Sequence, residues 1–100
     1  MTRIGLISDT HGLLRPEALS FLIGCDAIIH GGDIGEGILE QLAPLAPVTA
    51  VRGNNDNGAW AERLCETEMV KQGGLYLYAI HDLSQLDIDP VAAGVRVVVS

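Results

Sequence analysis

Gly5-Leu6-Ile7-Ser8-Asp9-Thr10-His11-Gly12 carries a short apolar run straight into a carboxylate and an imidazole two residues apart. The run starts at Arg3-Ile4 and has the look of a parallel strand buried on both faces. Open α/β sheets place their chemistry beyond the carboxyl ends of such strands. With Thr10 between them and Gly12 to permit a tight bend, Asp9 and His11 can aim at one ion above the strand end. An Asp-x-His pair alone is a weak sign of a metal. Its weight comes from two later stretches built the same way.

Pro16 stands where a first helical turn begins, and residues 17–22 supply a short helix that closes near Gly24. Asp26-Ala27-Ile28-Ile29-His30 reads as a second strand, ending in Gly31-Gly32-Asp33. A second helix is expected over 37–42, stopped by Pro44 and Pro47. Val48-Thr49-Ala50-Val51, β-branched and apolar, is the third strand and ends in Arg52-Gly53-Asn54-Asn55-Asp56. Roughly twenty residues separate successive strand ends, the spacing of right-handed βαβ crossovers, so the three loops share one edge of a sheet. Gly, Asn and Asp are ordinary turn residues, and residues 53–56 taken alone read as a turn. Three such loops converging at crossover spacing are hard to obtain from turn chemistry alone.

The pattern then changes. Residues 67–71 and 75–80 flank Gln72-Gly73-Gly74, which predicts a hairpin whose second arm ends in His81-Asp82. Residues 90–93 predict part of a short helix, and Val95-Arg96-Val97-Val98-Val99 a last strand before Ser100.

One hundred residues make one domain with a modest core. Hydrophobic residues are 48% and aromatics only 4%, so aliphatic side chains must build the interior, as in a buried parallel sheet. A formal charge of −7 offers no basic surface for a phosphate backbone, which argues against double-stranded nucleic acid as a partner. Cys25 and Cys65 form no Cys-x-x-Cys pair and are expected to be buried free thiols in a reducing compartment. Gly5 and Asp9 interrupt any signal-peptide pattern, and no stretch is long enough to span a membrane, so a cytoplasmic protein is expected. Neither a Gly-x-Gly-x-x-Gly after the first strand nor a Gly-x-x-x-x-Gly-Lys segment is present, which argues against a nucleotide-binding glycine loop.

In their order and spacing, Asp9-Thr10-His11, Gly32-Asp33, Gly53-Asn54-Asn55-Asp56 and His81 resemble the motifs of the calcineurin-like metallophosphoesterases. Among these the small bacterial and archaeal phosphodiesterases, which carry little beyond the core fold, look most similar. The resemblance implies an α/β fold in which a βαβαβ start and a hairpin form part of a four-layer sandwich, two β-sheets flanked by helices. Residues 1–100 would be a single domain with two divalent metals above the strand ends. Carried over position by position, Asp9 and His11 hold the first metal, Asp33 bridges both, and Asn54 and His81 hold the second. A carboxylate has two oxygens and a charge that offsets the repulsion between two cations, while a neutral amide completes a shell without adding charge. Nitrogen and oxygen donors without thiolate favour Mn²⁺; Fe, Zn²⁺, Ni²⁺ and Mg²⁺ are also compatible.

The activity this implies is phosphoester hydrolysis, most of all of small phosphodiesters, by in-line attack of a hydroxide bridging the metals. The alternative is a non-catalytic protein-interaction scaffold of the same fold with an incomplete site. Many members carry His after the motif Asn, where it can protonate the leaving oxygen; Asn55 stands there instead, so good leaving groups are expected. Asn55 and Asp33 are the candidate catalytic residues, Asn55 as a hydrogen-bond donor to a phosphate oxygen. Asp82 replaces a usual Gly. The family's Gly-His-x-His motif, expected after a strand like Val95–Val99, does not occur within these residues, so a C-terminally incomplete domain is expected. A bare strand of that apolarity invites self-association along its edge.

His30 is read as packing or support beside the ligands ahead of direct ligation, and Asp56 as a brace for its own turn ahead of a role around the metals. Trp60 is read as packing ahead of a wall for an aromatic or nucleobase leaving group, and Arg52 as a surface residue or a contact for the substrate phosphate. Glu36, Glu40, Glu62, Glu66, Asp87 and Asp89 are assigned to solvated faces.

Overall fold

Three short aliphatic stretches, β1 (Ile4–Ile7), β2 (Ala27–His30) and β3 (Val48–Ala50), pair in parallel in the order β1-β2-β3. The computed structural model describes residues 2–72, 74–86, 88–89 and 94–100. Parallel neighbours need crossovers, and two short helices supply them: α1 (Pro16–Leu22) and α2 (Ile38–Leu42). Pro16 occupies the first turn of α1, where its missing N–H costs nothing and Arg15 before it is extended.

β2 is buried along its whole length. Its side chains alternate between faces, so Ile28 meets Leu14, Leu22, Ile34, Ile38 and Leu42 under the helices while Ile29 points the other way. Both isoleucines are fully buried, each contributing about 1.5–3 kcal/mol of transfer free energy, and this strand anchors both halves of the core.

The second sheet has the order β4-β5-β6, with β4 (Thr67–Gln72) antiparallel to β5 (Leu75–Ile80), and β5 parallel to β6 (Val95–Val99). Leu77 and Ala79 of β5 and Val99 of β6 pack on Ile29 and Val51, and this contact joins the two sheets. The outer face, Tyr78, Ile80 and Val95, is covered by Leu86 and Ile88, which follow a single 3-10 turn at Leu83–Gln85. The chain is therefore the α/β double sheet that the resemblance implies, with helices over the first sheet. The predicted helical piece at 90–93 lies outside the described residues, as do Gly73 and Asp87.

Some expectations need correction. β1 is not buried on both faces: among the described residues it pairs only with β2, and while Ile4 packs on the contact between the sheets, Leu6 is 49% exposed. Cys25 is a buried free thiol, but Cys65 is exposed. Its backbone carbonyl accepts from Arg52 N–H at 2.8 Å, tying the segment before β4 to the end of β3 while the residue stays at the surface. Among the described residues no helix is long and apolar enough to cross a membrane. The described acidic residues Glu36, Glu40, Glu62, Glu66 and Asp89 are exposed as expected.

Candidate metal centre

Past the ends of β1 and β2 the two chains stay zipped together. Gly31 N–H donates to Ile7 O at 2.8 Å, Asp9 N–H to Gly32 O at 3.0 Å, His11 N–H to Asp33 O at 3.0 Å and Gly12 N–H to Ile34 O at 2.8 Å. Within this zipper Asp9, His11 and Asp33 take φ of 57°, 49° and 56°, and they are the non-glycine residues with positive φ among those described. Such backbone costs of order 1–3 kcal/mol per residue and persists only where its surroundings over-determine it. The strain falls on the three residues whose side chains converge.

His11 Nε2 lies 3.8 Å from Asp9 Oδ1 and 4.0 Å from Asp33 Oδ2. One donor atom from each of the three lies within 4.8 Å of the others. Donors sharing a cation at about 2.0–2.2 Å stand roughly 3–4 Å apart, so these three need little movement to meet one ion. On the far side of Asp33, His81 Nε2 is 3.4 Å from the same Oδ2 and 3.0 Å from Asn54 Oδ1. His81 Nδ1 faces the Gly31 carbonyl at 2.9 Å and must donate to it. Its Nε2 faces two oxygens, and a proton or a cation must stand between them. Acceptors gathered like this call for a positive charge between them, and a donor set of imidazole, carboxylate and amide oxygen suits a divalent cation. Asp9, His11 and Asp33 fit a divalent cation.

Asp33 is held more tightly than any other member of the group. Its carboxylate is 6% exposed, against 55% for Asp9 and 54% for His11. Asn55 donates to it twice, from N–H to Oδ1 and from Nδ2 to Oδ2, each at 2.9 Å. Burial pushes the Asp33 carboxyl up, but the two Asn55 hydrogen bonds, aided by the His81 and His11 rings, bring it below its ordinary value. Asn55 therefore meets the Asp33 carboxylate in this structure. Gly53 makes the close approach possible: a Cβ there would lie 2.1 Å from Asp33 Oδ1 and 2.2 Å from its backbone N. Gly32 does the same for His81, whose Nδ1 would stand 2.7 Å from a Cβ.

Two buried groups connect the loops. Asp56 braces its own turn by accepting from Gly53 N–H at 2.9 Å, as expected, but it also accepts from Ile34 N–H at 2.8 Å and Gly35 N–H at 3.1 Å, joining the third loop to the second. His30, fully buried, accepts at Nδ1 from Gly32 N–H at 3.1 Å, so Nε2 carries the proton and donates to Thr10 Oγ1 at 3.0 Å. Thr10 Oγ1 in turn donates to Ile34 O at 2.6 Å. Burial, opposed by Asp56 and other carboxylates, lowers the His30 pKa to about 4 and keeps the ring neutral. Thr10 reads in the sequence only as a spacer, and no periodicity or spacing marks its hydroxyl.

Asn54 and His81 open onto a cavity of about 910 Å³ that also takes in Arg52, Asn57 and Gln85. Arg52 Nη2 is 3.5 Å from Glu66 Oε1 at the surface, and Trp60 packs against the helix-side core. Asp82 caps the 3-10 turn by accepting from Ser84 N–H and Oγ, which lower its pKa.

A sequence profile of the calcineurin-like phosphoesterase superfamily domain matches residues 2–99. A "probable metallophosphoesterase" from Methanothermobacter thermautotrophicus is 36% identical over 109 residues, covering 97% of this chain and 63% of that protein. Among solved structures, Vps29 from Chaetomium thermophilum superposes with a TM-score of 0.76 at 18% identity, over 97% of this chain and 59% of that one. Wild-type Vps29 from Entamoeba histolytica, solved in complex with Zn²⁺, gives 0.66 at 22% identity over 90% and 54%. At such identities the structural likeness concerns the fold. The chain spans less than two thirds of the length of each of these relatives. A profile that runs from residue 2 to residue 99, over a double sheet of the same fold, settles the family: the chain belongs to the calcineurin-like phosphoesterase superfamily.

Proposed function

We propose that this chain carries the core of a phosphodiesterase that works with two divalent cations, Mn²⁺ favoured. One observation carries the reading: Asp33 Oδ2 lies 4.0 Å from His11 Nε2 on one side and 3.4 Å from His81 Nε2 on the other. Asp9, His11 and Asp33 would hold one cation, and Asp33, Asn54 and His81 the second. When bound, such a pair supplies a nucleophile from water at neutral pH and offsets the charge that develops on the phosphoryl oxygens.

The chain's own residues prepare the rest. Asn55 pins both oxygens of Asp33, so the shared carboxylate keeps its orientation. The Gly31 carbonyl fixes the His81 ring with Nε2 turned inward. Asn55 has no proton to give at neutral pH, so a leaving group at this end departs unassisted and must be a good one. The cavity beside Asn54 and His81 leaves room for the group beyond the scissile phosphate, within reach of Arg52. Self-association belongs to the same proposal: β6 pairs with β5 alone among the described residues, and Val97 is 37% exposed on it. A sedimentation pattern of monomers at all concentrations would contradict that part.

The test is Mn²⁺-dependent hydrolysis of aryl phosphodiesters of graded leaving-group pKa by the intact chain, with Asp33→Asn prepared identically. Turnover that is lost in the variant and falls steeply with rising leaving-group pKa supports the reading. Mn²⁺ bound without turnover of any ester favours the scaffold.

A further inference from the structure

We propose that Thr10 and His30 are positioning residues, a hydrogen-bonded latch that holds Asp9, His11 and Asp33 in cation-binding geometry. The inference rests on the metal reading above and adds to it two residues that touch no cation themselves.

Thr10 stands between the two ligands of the first loop, and its hydroxyl is held on both sides of the ligand in the second. His30, three residues before Asp33, donates to it, and it donates to the carbonyl of Ile34, the residue after Asp33. Each link has one acceptor and one donor, so the direction of the chain from Gly32 N–H through the His30 ring and the Thr10 hydroxyl to Ile34 O is fully determined. The ring is buried, and these two bonds occupy both its nitrogens. The zipper and a bond from Leu13 N–H to Thr10 O at 3.0 Å hold the backbone here, and the Thr10 side chain further ties the residue between Asp9 and His11, both at left-handed φ, to the second loop. Partners of this kind, one step removed from the ion, orient ligands and are worth a large factor in metal affinity.

Thr10→Val keeps the side-chain shape and removes the hydroxyl; Thr10→Ser keeps the hydroxyl. The two are compared with wild type and Asp33→Asn in the intact chain, by Mn²⁺ titration calorimetry and by amide hydrogen exchange without metal. Thr10→Val is expected to bind Mn²⁺ about 10- to 100-fold more weakly, with Thr10→Ser close to wild type. Without metal, the Asp9, His11 and Gly12 amides should exchange faster in Thr10→Val while those of Ile28 and Ile29 do not change. Thr10→Val binding as tightly as wild type, while Asp33→Asn does not bind, would overturn the latch and leave the metal reading standing. Faster exchange that extends to Ile28 and Ile29 would also overturn it, since the role would then be in general stability. Wild type taking up no Mn²⁺, or Asp33→Asn taking it up equally well, would overturn the metal reading and this inference with it.

Discussion

Asn55 grips Asp33 at both oxygens, N–H to Oδ1 and Nδ2 to Oδ2, each at 2.9 Å. The backbone bond survives any substitution that keeps the turn, but the amide bond does not. Asn55→Ala frees the oxygen that faces both His11 and His81, and Mn²⁺ affinity should fall about 10-fold or more, with little change in melting temperature. Titration calorimetry measures it; an unchanged affinity would show that the turn alone orients Asp33.

Gly53→Ala acts on the same carboxylate by crowding. A Cβ 2.1 Å from Asp33 Oδ1 and 2.2 Å from its backbone N forces two loops apart. Overpacking of this kind costs about 1–3 kcal/mol, and here the displaced atoms are the shared ligand and its backbone. The expected result is lower stability in urea unfolding together with loss of Mn²⁺ binding. Normal binding would mean that the loops shift freely.

Stability should also depend on pH through His30. Its folded pKa, about 4, lies below the ordinary 6.5, so between those values the unfolded chain takes up a proton that the folded chain refuses. The contribution is whole above about pH 6.5 and is lost as pH falls toward 4, up to roughly 3 kcal/mol. Asp33, also lowered, adds a loss in the same direction in the more acid range as pH falls through its folded value. Urea unfolding of the metal-free chain at pH 7.5 and pH 5 should show the decline, and His30→Gln should flatten it. Equal stability at both values in wild type would contradict a buried neutral ring.

The strand ends were legible because crossover spacing leaves little choice. Asp9, His11, Asp33 and Asn54 each follow a strand of the first sheet by a few residues, and His81 follows β5 directly, so topology alone carries all five to one end of the sandwich. What joins the loops was not legible. The bonds from Asp56 to Ile34 and Gly35, and from Thr10 to His30 and Ile34, link residues about twenty positions apart, and no local pattern encodes such pairs. Burial misread two residues for a related reason. Leu6 and Cys65 are apolar in type, but whether an apolar residue is covered depends on where the second sheet lands, which β1 and residues 57–66 do not specify.

If Asp33 joins two cation sites, its loss empties both. The number of Mn²⁺ ions retained per chain after equilibrium dialysis is compared for wild type and for Asp33→Asn. Two ions are expected in wild type and none in the variant, since Asp33 Oδ2 faces both His11 and His81. A variant that keeps its full complement of metal, or a wild type that never takes more than one ion, would contradict a shared carboxylate.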